Sequence, residues 1–264
     1  MEIAVAESLA QYLEQIEALW VRWSERKSRT LSNIWFRGHP SSAWDLVPSA
    51  MRPDFQLFSE HRLRHDFFLK SQPFLTELAK RPSNDWEWYF LMQHYGVPTR
   101  LLDWTESGVV ALYFALIEDR AATRRPSDAC VWVLEPTVLN ATVAGIGPYV
   151  PIYTDKSIAR YLPAIWDEES KEIPSVPAAF DPPYNSPRIA AQKGKFTVHG
   201  TARESLEKFG DFGDNLVSIR IPRKAVPVMQ RQLHLTGVSE ATLFPGLAGT
   251  ARQLANAYSK TWQI

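Results

Sequence analysis

One cysteine, Cys130, stands in 264 residues, so no intramolecular disulfide can form, which fits a reducing compartment. No Cys-rich spacing and no His-Glu-x-x-His occurs to suggest zinc, so no metal is expected. Charge of one sign is not in excess: 29 basic residues balance 29 acidic ones, so no global field announces a nucleic acid or a membrane surface, and any such contact would be local. No run of about 18 uncharged apolar residues is present, as a membrane-spanning helix would need. The N-terminal stretch carries Glu2, Glu7, Glu14 and Glu17 without a basic region followed by an apolar one, so it does not read as a secretory signal. The glycine-rich phosphate loops GxGxxG and GxxxxGK[ST] and the nucleophile turn GxSxG are missing too. The expectation that remains is a soluble, cytoplasmic protein with no membrane partner and none of the commonest nucleotide or hydrolase signatures.

What is abundant is apolar and aromatic. Hydrophobic residues make up 45% of the chain, enough for one substantial core, and 10 Trp, 13 Phe and 9 Tyr predict an aromatic-rich interior or an aromatic-lined cleft. Leu9, Leu13, Ile16, Leu19, Trp20 and Trp23 recur at spacings of three and four, which predicts a packing helix within residues 1–30. Ile34 to Phe36 reads as a strand running into the turn Gly38-His39-Pro40-Ser41-Ser42. Residues 55–80 read as helix, interrupted at Pro73. Asn84 and Glu87 predict a capped helix start, and Gly96 with Pro98 its end. Leu101-Leu102 then makes a very short strand, Asp103-Trp104-Thr105 a cap, and Ser107 to Ile117 a buried helix. Cys130 to Leu134, Phe196 to His199 and Leu216 to Ile221 read as strands. Residues 140–187 read as a Pro-rich irregular insertion with a brief helix near 155–162. A short helix within 222–233 and a last one over 244–258 complete an α+β single domain over 31–264, after the N-terminal helix.

Four stretches could carry chemistry. In Asn33-Ile34-Trp35-Phe36-Arg37-Gly38-His39, an arginine that cannot shed its charge ends a hydrophobic strand. It needs a structural carboxylate such as Asp45 or Asp103, or a ligand phosphate, and Gly38 lets backbone approach whatever it holds. The second stretch, Gln93 to Thr105, gathers His94, Arg100, Asp103 and Thr105 at a junction of elements, where clefts commonly form. Its bland readings are an N-cap for Asp103 or Thr105, an Arg100–Asp103 pair, and a His94 that merely suits a helix C-terminus. The third, Pro187 to Phe196, joins a polar turn to a strand and offers Gln192, either to a ligand or to buried backbone groups. The fourth, Thr236 to Gly246, offers Glu240, a catalytic carboxylate or a solvated loop residue. Arg120, Arg124 and Arg125 form a local basic patch that is either a nucleic-acid contact or a solvated turn.

Phe36-Arg37-Gly38, Trp44 to Arg52 (WDLVPSAMR), Gln93 to Ala115 (QHYGVPTRLLDWTESGVVALYFA), Arg188 to Phe196 (RIAAQKGKF) and Ala241 to Leu247 (ATLFPGL), in this order, resemble the FRG domain family, named for its Phe-Arg-Gly motif. An aromatic-Arg-Gly strand end, followed by a hydroxyl residue before an Ala-rich helix, is similar in turn to the ADP-ribosyltransferases. That similarity implies a mixed or antiparallel sheet core flanked by helices, with NAD as substrate. Arg37 would grip its phosphate-ribose part, with Gly38, Arg100, Asp103, Trp104 and Thr105 beside it. Tyr95, Trp104, Tyr113 or Phe114 would stack on nicotinamide. The pattern departs at the catalytic Glu, where Gln192 stands. Glu240 would have to supply the carboxylate near the cationic ribose, or the site only binds. The resemblance thus implies a toxin or phage-defence effector modifying protein or nucleic acid, with an antitoxin or chaperone as a possible partner. The other reading is a noncatalytic nucleotide- or phosphate-binding module using Arg37 and Arg100. A nuclease built on His94 lacks a second histidine or an acidic pair.

Overall fold

The computed structural model describes residues 2–27, 33–55, 60–77, 81–117, 127–162, 172–210 and 212–258. Arg120, Arg124 and Arg125 lie outside them, as do parts of the helix expected over 55–80. The strands are β1 (Glu2–Val5), β2 (Trp35–His39), β3 (Leu101–Thr105), β4 (Ala129–Leu134), β5 (Ala178–Phe180), β6 (Gly194–Val198) and β7 (Leu216–Ile221). The helices are α1 (Leu9–Lys27), α2 (Glu60–Ser71), α3 (Asp85–His94), α4 (Gly108–Leu116), the short α5 (Pro136–Val138) and α6 (Lys156–Ala159), α7 (Pro187–Gln192), α8 (Val226–Leu235), the short α9 (Glu240–Leu243) and α10 (Leu247–Ala257). Among the described residues no helix is long and apolar enough to cross a membrane.

All seven strands form one mixed sheet in the order β1-β7-β4-β2-β3-β6-β5. Only β1 and β7 run parallel; the other neighbours are antiparallel. The fold is α+β, with helices flanking a single sheet. Pairing is thinnest between β2 and β3. β2 pairs with β4 at five positions and β3 with β6 at five, whereas β2 and β3 share one, Phe36 with Thr105. It is therefore two leaves, β1-β7-β4-β2 and β3-β6-β5, joined along a short seam.

Alternation of side chains along each strand assigns the faces. Phe36 joins Tyr12, Leu19, Trp23, Ala111 and Leu112 in a core beneath α1, α4 and α8. Trp35 joins Leu46, Trp104, Trp132 and Leu139 on the other face. A third cluster, built on Trp86, Tyr89, Phe90, Phe180 and Phe196, packs α3 onto the β3-β6-β5 leaf, with Phe90 and Phe196 stacked at 5.4 Å. Many of the aromatic residues thus fill interior space, while others, among them Trp20, Trp44, Phe74 and Tyr95, stay exposed.

Several expectations change. The N-terminal segment is more than a packing helix, because Glu2–Val5 completes the sheet through β7. Asp103, Trp104 and Thr105, expected as a cap, continue strand β3 and pair with Phe196, Lys195 and Gly194. Cross-strand partners override their turn-forming chemistry. The stretch expected to be irregular over 140–187 holds β5, which pairs with β6, while its brief helix is Lys156–Ala159. Arg188 to Gln192, expected as a turn, form α7: Ser186 caps it by accepting from Ile189 N at 3.2 Å, Pro187 opens it, and Lys193 ends it at φ 48°.

Candidate functional site at the seam of the sheet

Arg37 occupies the seam. Its Nη1 donates to the backbone oxygen of Asp103 at 2.6 Å, an acceptor that β2 would engage in an unbroken sheet, and lies 3.8 Å from the Asp103 carboxylate. Its Nε donates to His39 Nε2 at 3.1 Å. That bond requires an unprotonated Nε2, so the Nδ1 of His39 carries the proton toward Trp44 O at 3.2 Å. Burial, and then the Arg37 charge, push the His39 imidazole down to about 3, which keeps it neutral and able to accept. Two of the three guanidinium nitrogens are thus fixed, and Nη2 has no hydrogen-bond partner among the described residues. The side chain keeps 18% of its surface exposed.

Desolvation lowers the Arg37 pKa; Asp103 acts against this and Arg52 reinforces it. Arg52 also pushes His39 down, and among the described residues its exposed side chain makes no ion pair. Across β2, Trp132 is the register partner of Arg37 and buries its indole N–H without an acceptor. Arg37 and Arg52 are thus two like charges within electrostatic reach of one another, with Asp103 the carboxylate that opposes them among the described residues, an arrangement that can accept an anion.

Asp103 is held from the far side. Gln93 donates to its Oδ2 at 2.8 Å, and the Thr99 hydroxyl donates to Gln93 in turn. From there a chain of contacts runs through the other motif stretches. Arg188, which the Asp103 charge reaches, donates to the His94 backbone oxygen at 3.4 Å and lies 4.8 Å over the Phe244 ring. Thr105 donates to Gln192 O at 2.6 Å and accepts from Ser107 N, tying α7 to the start of α4. Gln192 donates to Leu243 O at 3.0 Å. Glu240 accepts from Tyr113 and, at 2.6 Å, from Arg252 Nε. Segments separated by up to two hundred residues are therefore contiguous.

The expected residues divide into two groups. Arg37, Asp103, His94, Gln192, Thr105 and Glu240 belong to this chain of contacts, although the Thr105 hydroxyl and both Glu240 oxygens are already engaged within the protein. His94 is exposed at the end of α3, its pKa lowered by partial burial and by Arg188. Arg100, Trp104 and Gly38 face the interior. Arg100 is 1% exposed; it pairs with Glu60 at 2.8 Å and donates to the backbone oxygens of His199 and Tyr161, not to Asp103. Trp104 donates its indole N–H to Thr197 at 3.1 Å within the core. Gly38 faces α4, where a Cβ would stand 2.0 Å from Ala111 O. Sequence reasoning passed over Arg52, Arg188, Phe244 and Gln93 as individual site residues. All four lie in the motif stretches, which was the available signal. Among the described residues, no group of three or more His, Cys, Asp or Glu is placed to hold a metal ion.

The family model of the FRG domain matches residues 32–124. That span contains Arg37, His39, Arg52, Gln93 and Asp103, and stops before Arg188, Phe244 and Glu240. No curated protein and no solved structure matches the chain, and none of these comparisons connects it with the ADP-ribosyltransferases. Over the segment that builds the seam, the chain is similar to the FRG domain.

Proposed function

We propose that the seam binds the phosphate of a nucleotide, with NAD the first ligand to test, and that the chain acts there as a nucleotide-binding module. The observation that carries this is the Arg37 guanidinium: Nε and Nη1 are anchored by His39 and Asp103, leaving Nη2 unbonded among the described residues and within electrostatic reach of the exposed Arg52. A planar donor already locked in place loses little freedom when it captures a phosphate oxygen. Calorimetric titration with NAD, ADP-ribose and adenosine tests it. The two phosphate-bearing ligands should saturate and adenosine should not. Arg37→Lys, which keeps the charge and loses the fork, should weaken binding about tenfold, equivalent to about 1.4 kcal/mol. Absence of saturable binding by either phosphate ligand, or undiminished binding by Arg37→Lys, would overturn the reading.

Transfer of ADP-ribose from NAD is the second reading, favoured by one observation: Glu240 is fixed by Tyr113 and Arg252 in the same chain of contacts. In that reaction the nicotinamide–ribose bond breaks, its electron pair leaves with nicotinamide, and an acceptor nucleophile on a protein or nucleic acid bonds to the ribose carbon. A carboxylate stabilises the cationic ribose in between. The defence or toxin role implied by the resemblance belongs to this reading, as does a neutralising antitoxin or chaperone. Nicotinamide release that disappears in Glu240→Gln, while NAD binding persists, would establish it over simple binding.

A further inference from the structure

We propose that the outward face of α1 is a docking surface for a basic amphipathic helix of another protein. The inward face of this helix is committed, with Tyr12, Leu19 and Trp23 buried in the core. Its outward face is unusual for a solvated helix. Leu13, Trp20 and Val21 expose 44%, 42% and 40% of their surfaces, at the i, i+7, i+8 spacing that sets them along one side. Beside them a shallow depression of about 420 Å³ is lined by Glu14, Glu17, Ala18, Val21, Arg22 and Glu25.

The charges around this patch select the partner. Among the described residues Glu14, Glu17 and Glu25 form no ion pair, and Arg22, which also lines the depression, is turned toward Asp214 at 3.8 Å. On a helix whose outer face simply meets water, a glutamate is commonly answered by a lysine or arginine four residues on. Here Ala18 follows Glu14 at that spacing, and Val21 follows Glu17. Glu14 and Glu17 therefore frame apolar surface with no cation four residues on to meet, and a helix with a leucine-like stripe flanked by Lys or Arg satisfies both features. Glu14 to Glu25 spans twelve residues, about 16 Å of helix axis, so the partner needs about three turns. A second copy of this chain would bring acid against acid, and an anionic membrane surface would be repelled likewise. Trp20 would be the anchor, since a large, partly exposed aromatic in an apolar patch is the usual centre of an interface.

The test uses a fluorescein-labelled 18-residue Leu/Lys peptide with helical amphipathic spacing, the same composition scrambled, and a Leu/Glu counterpart, read by anisotropy against the full chain. The amphipathic Leu/Lys peptide should bind saturably, more weakly as salt rises, and the other two should not. Glu14→Lys with Glu17→Lys should reduce affinity at least about tenfold, as should Trp20→Ala, with melting temperature and NAD affinity unchanged, so this result stands apart from the seam reading. No saturable binding, equal binding of the scrambled peptide, or an undiminished affinity in the double variant would overturn the proposal. So would a dimer of the unliganded chain, seen by sedimentation and dissociated by Trp20→Ala, because a second copy would then be the occupant.

Discussion

Gly38→Ala puts a single methyl group where α4 meets the sheet. The added carbon would stand 2.0 Å from Ala111 O and 2.5 Å from Ala115 N, both backbone atoms of the helix, so no side-chain rotation relieves the clash. Restoring ordinary contact requires α4 to withdraw by about 1.2 Å or more, against the packing of Val110, Ala111, Leu112, Ala115 and Leu116. Overpacking of this kind costs about 1–3 kcal/mol, and a rigid backbone obstacle places it at the upper end. At about 2–4 °C per kcal/mol for a chain of roughly this size, the melting temperature should fall by about 6–12 °C. Gly194→Ala in β6 is the control, since its nearest neighbour would be Ile189 Cγ2 at 3.4 Å, an ordinary contact. Calorimetric melting of both variants decides the matter. If Gly38→Ala melts within 2 °C of the parent, the glycine of the Phe-Arg-Gly motif is not there for helix approach and the reasoning fails.

Stability should fall on acidification between about pH 6.5 and 3. His39 and His199 are both pushed down to about 3 by burial, with Arg37 and Arg100 respectively adding to the effect, while the unfolded chain titrates near 6.5. In that window the unfolded state holds the extra protons, so each histidine removes about 1.4 kcal/mol per pH unit as pH drops, and together about 2 kcal/mol between pH 6 and 5. Urea midpoints at the two pH values measure this, and equal midpoints would refute it. Arg100→Met should cost about 3–5 kcal/mol, because Glu60 is left as an uncompensated carboxylate and two carbonyls lose their donor. A loss under 1 kcal/mol in denaturant titration would show that the network is dispensable.

What the sequence disclosed follows the range of the forces involved. Local signals were legible: Asn84 accepts from Glu87 N, as its position before an apolar run predicts, although Glu87 reaches back to Ser83 and not to the cap residue itself. β7 is the Leu216–Ile221 segment as its apolar run indicates. Elements fixed by distant partners were not. Glu2–Val5 is too short to show a period and becomes a strand only beside β7, more than two hundred residues away. Asp103 to Thr105 look like a cap until β6 pairs with them. At the site, Asp103 was foreseeable as a partner of Arg37 because a buried guanidinium needs a carboxylate and the motif stretches offer few, although both residues stand mid-strand and not at element ends. Glu60, the partner of Arg100, sits in a segment that reads only as a packing helix, so the buried pair was invisible before folding. The approach of Arg52 to Arg37 likewise arises from the turn after Pro48, which no spacing rule encodes.

The short contact between β2 and β3 has a mechanical consequence. Below Phe36 and Thr105 the two leaves are stitched by a guanidinium donating to the Asp103 carbonyl, where a continuous sheet would use a peptide amide. A peptide amide is fixed to its strand, whereas a side-chain stitch can be drawn toward whatever engages its free edge. Occupancy of Nη2 and the spacing of the leaves thus become one variable, and the amide protons bordering the seam are the natural gauge of it. Slower exchange there on addition of a phosphate ligand would report a sheet that tightens as a single body.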